Sequence, residues 1–376
     1  MKKIMTRLLS LVLLGAFIPG FVLADSWYLE DGDITVNATE TSQIVSQGGT
    51  SKPDSNPIIS TRAPGSSENG ATNNTVTITA EKNATANVTL ENVNIDTGTR
   101  GEAAITASGE GNVNIELDGT NRVQSGYEHA GVEKKGDGTL TITDENKDGS
   151  LTATGGNGGA GIGGGSGGSG SNITIEGGKI EANGGNFGAG IGGGAGGLGD
   201  VAIEGKVTIQ NAQGGIGAAG IGGGAESEPD DDGTGKKTVN EISIKSTEAG
   251  SPNITAKGGT ASDDGLSGGA AIGSGSVYEN PQNPEEKAKA AITIEGKVTI
   301  DATAGGSVAI GDDEEQTFAG LSVGAAITRK DSDSNTLPPQ EGDKPEPENP
   351  GTDNPGTDKP GTDKPGTDKP GTDKPG

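Results

Sequence analysis

The chain contains no cysteine in its 376 residues. That excludes disulfide staples, thiolate zinc sites and an acylated-cysteine anchor. Histidine occurs once, at His129, so a multi-histidine zinc site cannot be built and a histidine-based nucleophile triad is not expected. A lone histidine of this kind reads as structural or solvent-exposed. Aromatic residues are only 2% of the chain; beyond the first 24 positions they are Trp27, Tyr28, Tyr127, Phe187, Tyr278 and Phe318. With no strip of rings to stack sugars, polar or cation-bridged contacts would carry any glycan binding. Basic charge is also scarce. Lys+Arg number 27 against 53 Asp+Glu, a formal net charge of −26, which repels nucleic acid and anionic lipid unless divalent cations intervene.

Long apolar runs are confined to the start. Lys2, Lys3 and Arg7 precede an apolar stretch from Leu8 to Val22, and Val22-Leu23-Ala24 satisfies the small-residue cleavage rule. Residues 1–24 are therefore expected to be an export signal, leaving Asp25 first, and the stretch is short for a membrane span. Removing its three basic residues takes the charge to about −29. A cysteine-free exported chain fits a bacterial secretion route in which the fold alone must supply stability.

What the chain has in excess is glycine, 71 residues, arranged in register. Ala160–Gly165, Ala189–Gly194 and Ala219–Gly224 each read Ala-Gly-Ile-Gly-Gly-Gly, with Ile162, Ile191 and Ile221 spaced 29 and 30 residues apart. A fixed period of that size signals one supersecondary unit stacked on itself. Between the phrases lie alternating segments such as Ile173-Thr174-Ile175-Glu176-Gly177 and Ile292-Thr293-Ile294-Glu295-Gly296, each followed by a second short apolar run around Ile180, Ile209 or Ile300. Period-2 alternation of β-branched residues bounded by glycine is strand chemistry.

Each repeat thus holds three short strands, and the order extends outward to Ile105, Val132, Ile272 and Ile310. No unit with two or three inward side chains buries a core alone, so the expected fold class is all-β: a right-handed parallel β-helix of about seven coils, roughly 34 Å long. Isoleucine in fixed register argues against a flexible Gly-rich linker. Residues 25–86 are less regular and are expected to form an N-terminal cap and first irregular coils, with Trp27, Tyr28 and Leu29 covering the open end. Residues 87–330 form the Gly-rich β-helix domain, with polar inserts from Glu226 to Asn240 and from Tyr278 to Lys289. Residues 331–376 are expected to be a disordered stalk, because from Glu341 onward Pro-Gly-Thr-Asp-Lys recurs to the last residue and no full repeat carries an apolar side chain that could pack.

Candidate chemistry is sparse. Asp144-Glu145-Asn146-Lys147-Asp148-Gly149 matches the opening of a calcium loop, with oxygen ligands on Asp144, Asn146 and Asp148, but Gly155 stands where the closing glutamate belongs. It reads either as a polar turn or as an incomplete Ca²⁺ site. Asp312 and Asp313, in a run with Glu314 and Glu315, are the second candidate for a hard cation, against the plainer reading of a solvated acidic turn. Gly-x-Gly-x-x-Gly occurs by composition alone, and Gly235-Lys236-Lys237-Thr238 misses the phosphate-loop pattern. The hydroxyl-rich stretch Thr139–Thr143 offers polar contacts for a sugar, although threonine on a strand is ordinary strand chemistry.

Leu140-Thr141-Ile142, Leu151–Gly156 and Gly159–Gly165 together resemble the Gly-rich β-helix repeats of large surface proteins of Gram-positive and gut bacteria. Val88–Gly119 resembles a bacterial β-helix family described as carbohydrate-binding, with calcium-dependent binding of plant-wall polysaccharide. The resemblance covers residues 87–310 and implies a secreted, cell-surface protein whose partner is a polysaccharide or cell-surface glycan, assisted by Ca²⁺. The tail is similar to wall-spanning stalks of Gram-positive surface proteins, which implies peptidoglycan and cell-wall association. Those stalks end in Leu-Pro-x-Thr-Gly, and Leu337-Pro338-Pro339-Gln340-Glu341 departs from that signal. The reading from a different class is a structural or adhesive stalk with no specific small ligand. An enzyme is not expected: a β-helix lyase needs an Arg or Lys base beside acidic calcium ligands, and Arg62, Arg100, Arg122 and Arg329 stand beside no carboxylate cluster in the linear sequence.

Overall fold

A computed structural model describes residues 24–62, 70–225, 239–263, 265–276, 289–306, 308–311 and 325–337. Among them there is no α-helix, and the strands fall into three sheets of nine, eight and eleven strands. From Thr85–Glu91 onward the chain visits the sheets in rotation. Thr85–Glu91 joins the nine-stranded sheet, Asn94–Asp96 the eight-stranded one and Ile105–Gly109 the eleven-stranded one, and the cycle restarts at Asn112–Asp118 and continues to Ile310–Gly311.

Every pairing along that path is parallel, because each strand meets its counterpart one repeat away. Ile105, Val132, Ile162, Ile191, Ile221, Ile272 and Ile310 are direct register partners in the eleven-stranded sheet. The column continues through Val76 to Ile34, and the irregular spacing upstream of Val76 conceals the last of these rungs. Ile115, Ile142, Ile175, Ile203, Ile244 and Ile294 form a matching column in the nine-stranded sheet. These side chains are at most 2% exposed and belong to one continuous core. Like residues stack on like, so one side-chain shape packs repeatedly at the inter-strand spacing of about 4.8 Å.

The N-terminal segment is more ordered than its composition implies. Ser26–Tyr28 and Ile58–Ser60 are parallel members of the nine-stranded sheet. Ile34–Ala38, Gln43–Gln47 and Thr50–Pro53 run antiparallel at one end of the eleven-stranded sheet. Reversing direction ends the parallel stack on a strand carrying Lys52 and Pro53, a combination that discourages further pairing. Trp27 is buried, its Nε1 donating to Asp54 Oδ2 at 2.9 Å, whereas Tyr28 lies half-buried beneath the Arg62 guanidinium, 4.2 Å from its ring centre.

At the other end the packed body runs past residue 330. Ala326–Lys330 pairs in the eight-stranded sheet, Asp331 closes a turn by accepting from the backbone N–H of Asp333 and Asn335, and Leu337 packs against the core. Composition places 331–337 with the stalk because their side chains are mostly polar; the turn shows where those polar groups go. The rest of the expected stalk, from 338 onward, lies outside the described residues, as do residues 1–23 of the expected export signal and most of both inserts.

One rung breaks the pattern. Where the later repeats carry Ile-Gly, the strand Val132–Lys134 carries Glu133 and Lys134, both buried. Glu133 is in register with Gly163 and holds His129 Nδ1 at 2.6 Å and the Lys135 ammonium. Lys134 Nζ donates to Gly136 O at 2.7 Å, and burial pushes its ammonium below the ordinary lysine range, partly offset by Asp137. The unfolded chain then holds more protons in the window between the folded value and 10.5, so stability rises with pH across it. Lys134→Met is therefore expected to melt above the wild type at neutral pH, the gap narrowing as pH rises through that window. Thermal melts of both proteins across neutral and alkaline pH check this, and a pH-independent gap refutes it.

Candidate functional site

A groove of about 620 Å³ lies on the outer face of the nine-stranded sheet, within the size range of ligand clefts. Alternation makes it. In Thr85–Glu91 and Asn112–Asp118 the alternate apolar residues Val88, Leu90, Ile115 and Leu117 turn inward, which leaves Asn87, Thr89, Asn114 and Glu116 outward on the groove wall. Register then aligns the outward positions across neighbouring strands: Asn87 with Asn114 with Thr141, and Thr89 with Glu116 with Thr143. Glu176 extends the surface onto a fourth strand's end, and Ser55 and Asn56 contribute from the loop before Ile58. Four strand positions at about 4.8 Å spacing give roughly 15 Å of continuous polar floor.

The floor is held in place by its own hydrogen bonds. Asn114 Nδ2 donates to Asn87 Oδ1 at 3.0 Å. The Asn87 backbone is clamped from below, its N–H donating to Gln43 Oε1 and its carbonyl accepting from Gln43 Nε2, both at 2.9 Å. Glu116 accepts from Thr143 Oγ1 through one carboxylate oxygen and from the Glu145 backbone N–H, at 2.7 Å, through the other. Two of its roughly four acceptor positions remain for a ligand. Among the described residues, Glu116, Glu145 and Glu176 are the charged ones lining the groove, and none of those lining it is lysine or arginine.

The candidate calcium loop lies beside this groove and contributes Glu145 to its lining. Asp144 Oδ1 accepts from the backbone N–H of Asp148 and of Gly149, both at 3.1 Å, and Asn146 Oδ1 accepts from Asp148 N–H at 3.3 Å. Asp144 and Asn146 thus close the turn on its own backbone, while their neighbour Glu145 reaches the groove. Among the described residues no group of three or more His, Cys, Asp or Glu side chains gathers as metal ligands. Asp312 and Asp313 lie outside the described residues.

Of the sequence candidates, the Thr139–Thr143 stretch reaches the groove, through Thr141 and Thr143. The amides and carboxylates beside them were readable only as outward members of alternating strands, a signal that marks many positions equally. Tyr127, the large exposed aromatic, sits away from the groove lining at 62% exposure. Comparison of the chain with family models, with curated proteins and with solved structures returned no match.

Proposed function

We propose that this chain is a secreted, surface-displayed right-handed parallel β-helix of seven coils, residues 85–311, that binds a glycan in the groove on its nine-stranded sheet. The strand rotation through three sheets supports the coil assignment. The groove supports the binding role: an elongated polar floor of amides, hydroxyls and carboxylates at regular spacing matches the repeating hydroxyls of a sugar chain, and its donors and acceptors are already oriented. Hydrogen bonds, not ring stacking, carry the affinity, consistent with the scarcity of aromatic residues. Binding without catalysis is the activity proposed.

The groove's charge selects among glycans. Three carboxylates without a lining cation repel uronic acids and favour neutral or amino-bearing sugars; a uronate would need Ca²⁺ as a bridge, which is the calcium-assisted form of the same reading. Binding of matched glucosamine, N-acetylglucosamine and galacturonate oligomers, measured calorimetrically with Ca²⁺ and with chelator, tests this. Glu116→Gln is expected to weaken glucosamine binding about tenfold, as loss of one charge-assisted contact does. Glu248→Gln, the same charge change on an exposed turn, should leave it unaltered. Tightest binding to galacturonate with Ca²⁺ present transfers the role to the bridged form. Failure of every oligomer to bind leaves the structural or adhesive stalk reading.

A further inference from the structure

We infer that removal of the leader completes an ion pair at a buried carboxylate: the new α-ammonium of Asp25 pairs with the carboxylate of Asp54 and locks the N-terminal end of the stack. Asp54 is a carboxylate at 1% exposure. Its donors are all neutral: the Trp27 indole at 2.9 Å to Oδ2, the Asp25 backbone nitrogen at 3.2 Å to the same oxygen, and the Asn56 backbone nitrogen at 3.2 Å to Oδ1. Lys52, two residues before Asp54, is committed elsewhere: its Nζ lies 2.6 Å from Asp25 Oδ2 and 4.8 Å from the Trp27 ring centre. A buried carboxylate served by neutral donors alone is costly to desolvate, and a cation at hydrogen-bond distance offsets that cost.

Cleavage after Ala24 supplies such a cation at the required place. Hydrolysis of the Ala24–Asp25 peptide bond consumes one water, leaves the carboxylate on Ala24 and turns the Asp25 amide nitrogen into an ammonium with three donors. That nitrogen does not have to move. Ile58 N–H donates to Asp25 O at 2.9 Å, and Ser26–Tyr28 is paired along its length with Ile58–Ser60. On the other side the Asp54 N–H donates to Gln43 O, and Gln43 Nε2 donates to Asp54 O. Both partners are thus fixed by backbone before processing, so the charge forms in contact with its counter-ion. The precursor keeps the neutral amide, and the end of the stack is weaker until export is complete.

Trp27 is the sole tryptophan and touches Asp54 directly, so its fluorescence reports this end of the molecule alone. Two proteins are compared: one spans residues 25–376 and is released from a fusion with Asp25 free; the other spans residues 24–376, with Ala24 Nα-acetylated, so that the Asp25 nitrogen stays a neutral amide. The free form is expected to show a Trp27 unfolding midpoint at least about 2 °C higher. Acetylating the free terminus, which keeps an N–H but removes the charge, should abolish the difference. Asp54→Asn should lower the free form's midpoint and make it equal to that of the Ala24-extended Asp54→Asn protein. Equal midpoints for the free and extended wild-type proteins overturn the pairing. N-terminal sequencing of the exported protein checks the processing step separately: Asp25 is the expected first residue, and any other start overturns that step while leaving the pairing result standing.

Discussion

Replacing Ile191 with aspartate is expected to remove on the order of 4 kcal/mol or more of folding free energy and to abolish the cooperative thermal transition of the stack. Ile191 is fully buried and sits between Ile162 and Ile221 as direct register partners. A carboxylate there has an isoleucine above and below it and no exposure to solvent. The neighbouring column cannot relax outward, because its backbone is hydrogen-bonded on both sides: Ile162 N–H donates to Gly190 O at 3.0 Å and Ile191 N–H to Gly220 O at 2.9 Å. Stacked repeats transmit such a defect, since each unit is stable only through its two neighbours. Ile191→Val, which trims one methylene without adding charge, should cost about 1 kcal/mol. Far-UV circular dichroism melts of both variants make the comparison, and a wild-type midpoint for the aspartate variant would falsify the column.

The column was legible because a stack of identical repeats writes its register into the sequence. An isoleucine recurring at 29 and 30 residues between glycines, as Ile162, Ile191 and Ile221 do, leaves few other ways to bury it, and the order of strands around it carries the column outward to Ile105 and Ile310 past inserts that stretch the spacing. The N-terminal rung Ile34 was not legible. An antiparallel excursion separates it from Val76, so the column continues there at a spacing no repeat period predicts; Val76 keeps the repeat spacing to Ile105 but stands between threonines, without the flanking glycines that mark the later phrases. Glu133 and Lys134 were opaque for a related reason: their position in the repeat says glycine and core, and only the contacts with His129, Lys135 and Gly136 show how the charges are accommodated.

The groove depends on still finer information. Asn87, Asn114 and Glu116 differ from other outward residues only in what faces them. The polar floor arises because three adjacent strands present amide, hydroxyl and carboxylate in one register and Gln43 braces the first from beneath. Sequence spacing supplies the register; which outward row becomes a floor is decided by the loops carrying Ser55, Asn56 and Glu145 beside it.

Glycine 192 sets the second large expectation. Adding a single methyl group there, Gly192→Ala, is expected to cost on the order of 3 kcal/mol, more than most exposed substitutions cost in any protein. The backbone is at φ +131°, and a Cβ would stand 2.0 Å from Gly222 O and 2.9 Å from Gly222 C, both main-chain atoms of the next repeat. No rotamer relieves a clash between a Cβ and a carbonyl, so two repeats must separate. Separation lengthens the bond from Gly193 N–H to Gly222 O, now 2.9 Å. Gly163 and Gly273 meet their neighbours at 1.9 Å in the same way, so the effect belongs to the row and not to one residue. Gly167→Ala is the matched control, because Gly167 also has a positive φ, +71°, but has nothing within 4 Å of the added carbon. It should cost only the backbone penalty of about 1–2 kcal/mol. Urea unfolding of the two variants separates steric stacking from backbone preference. Equal losses would mean that the glycines serve φ alone and that the repeats are not held in close main-chain contact along this row.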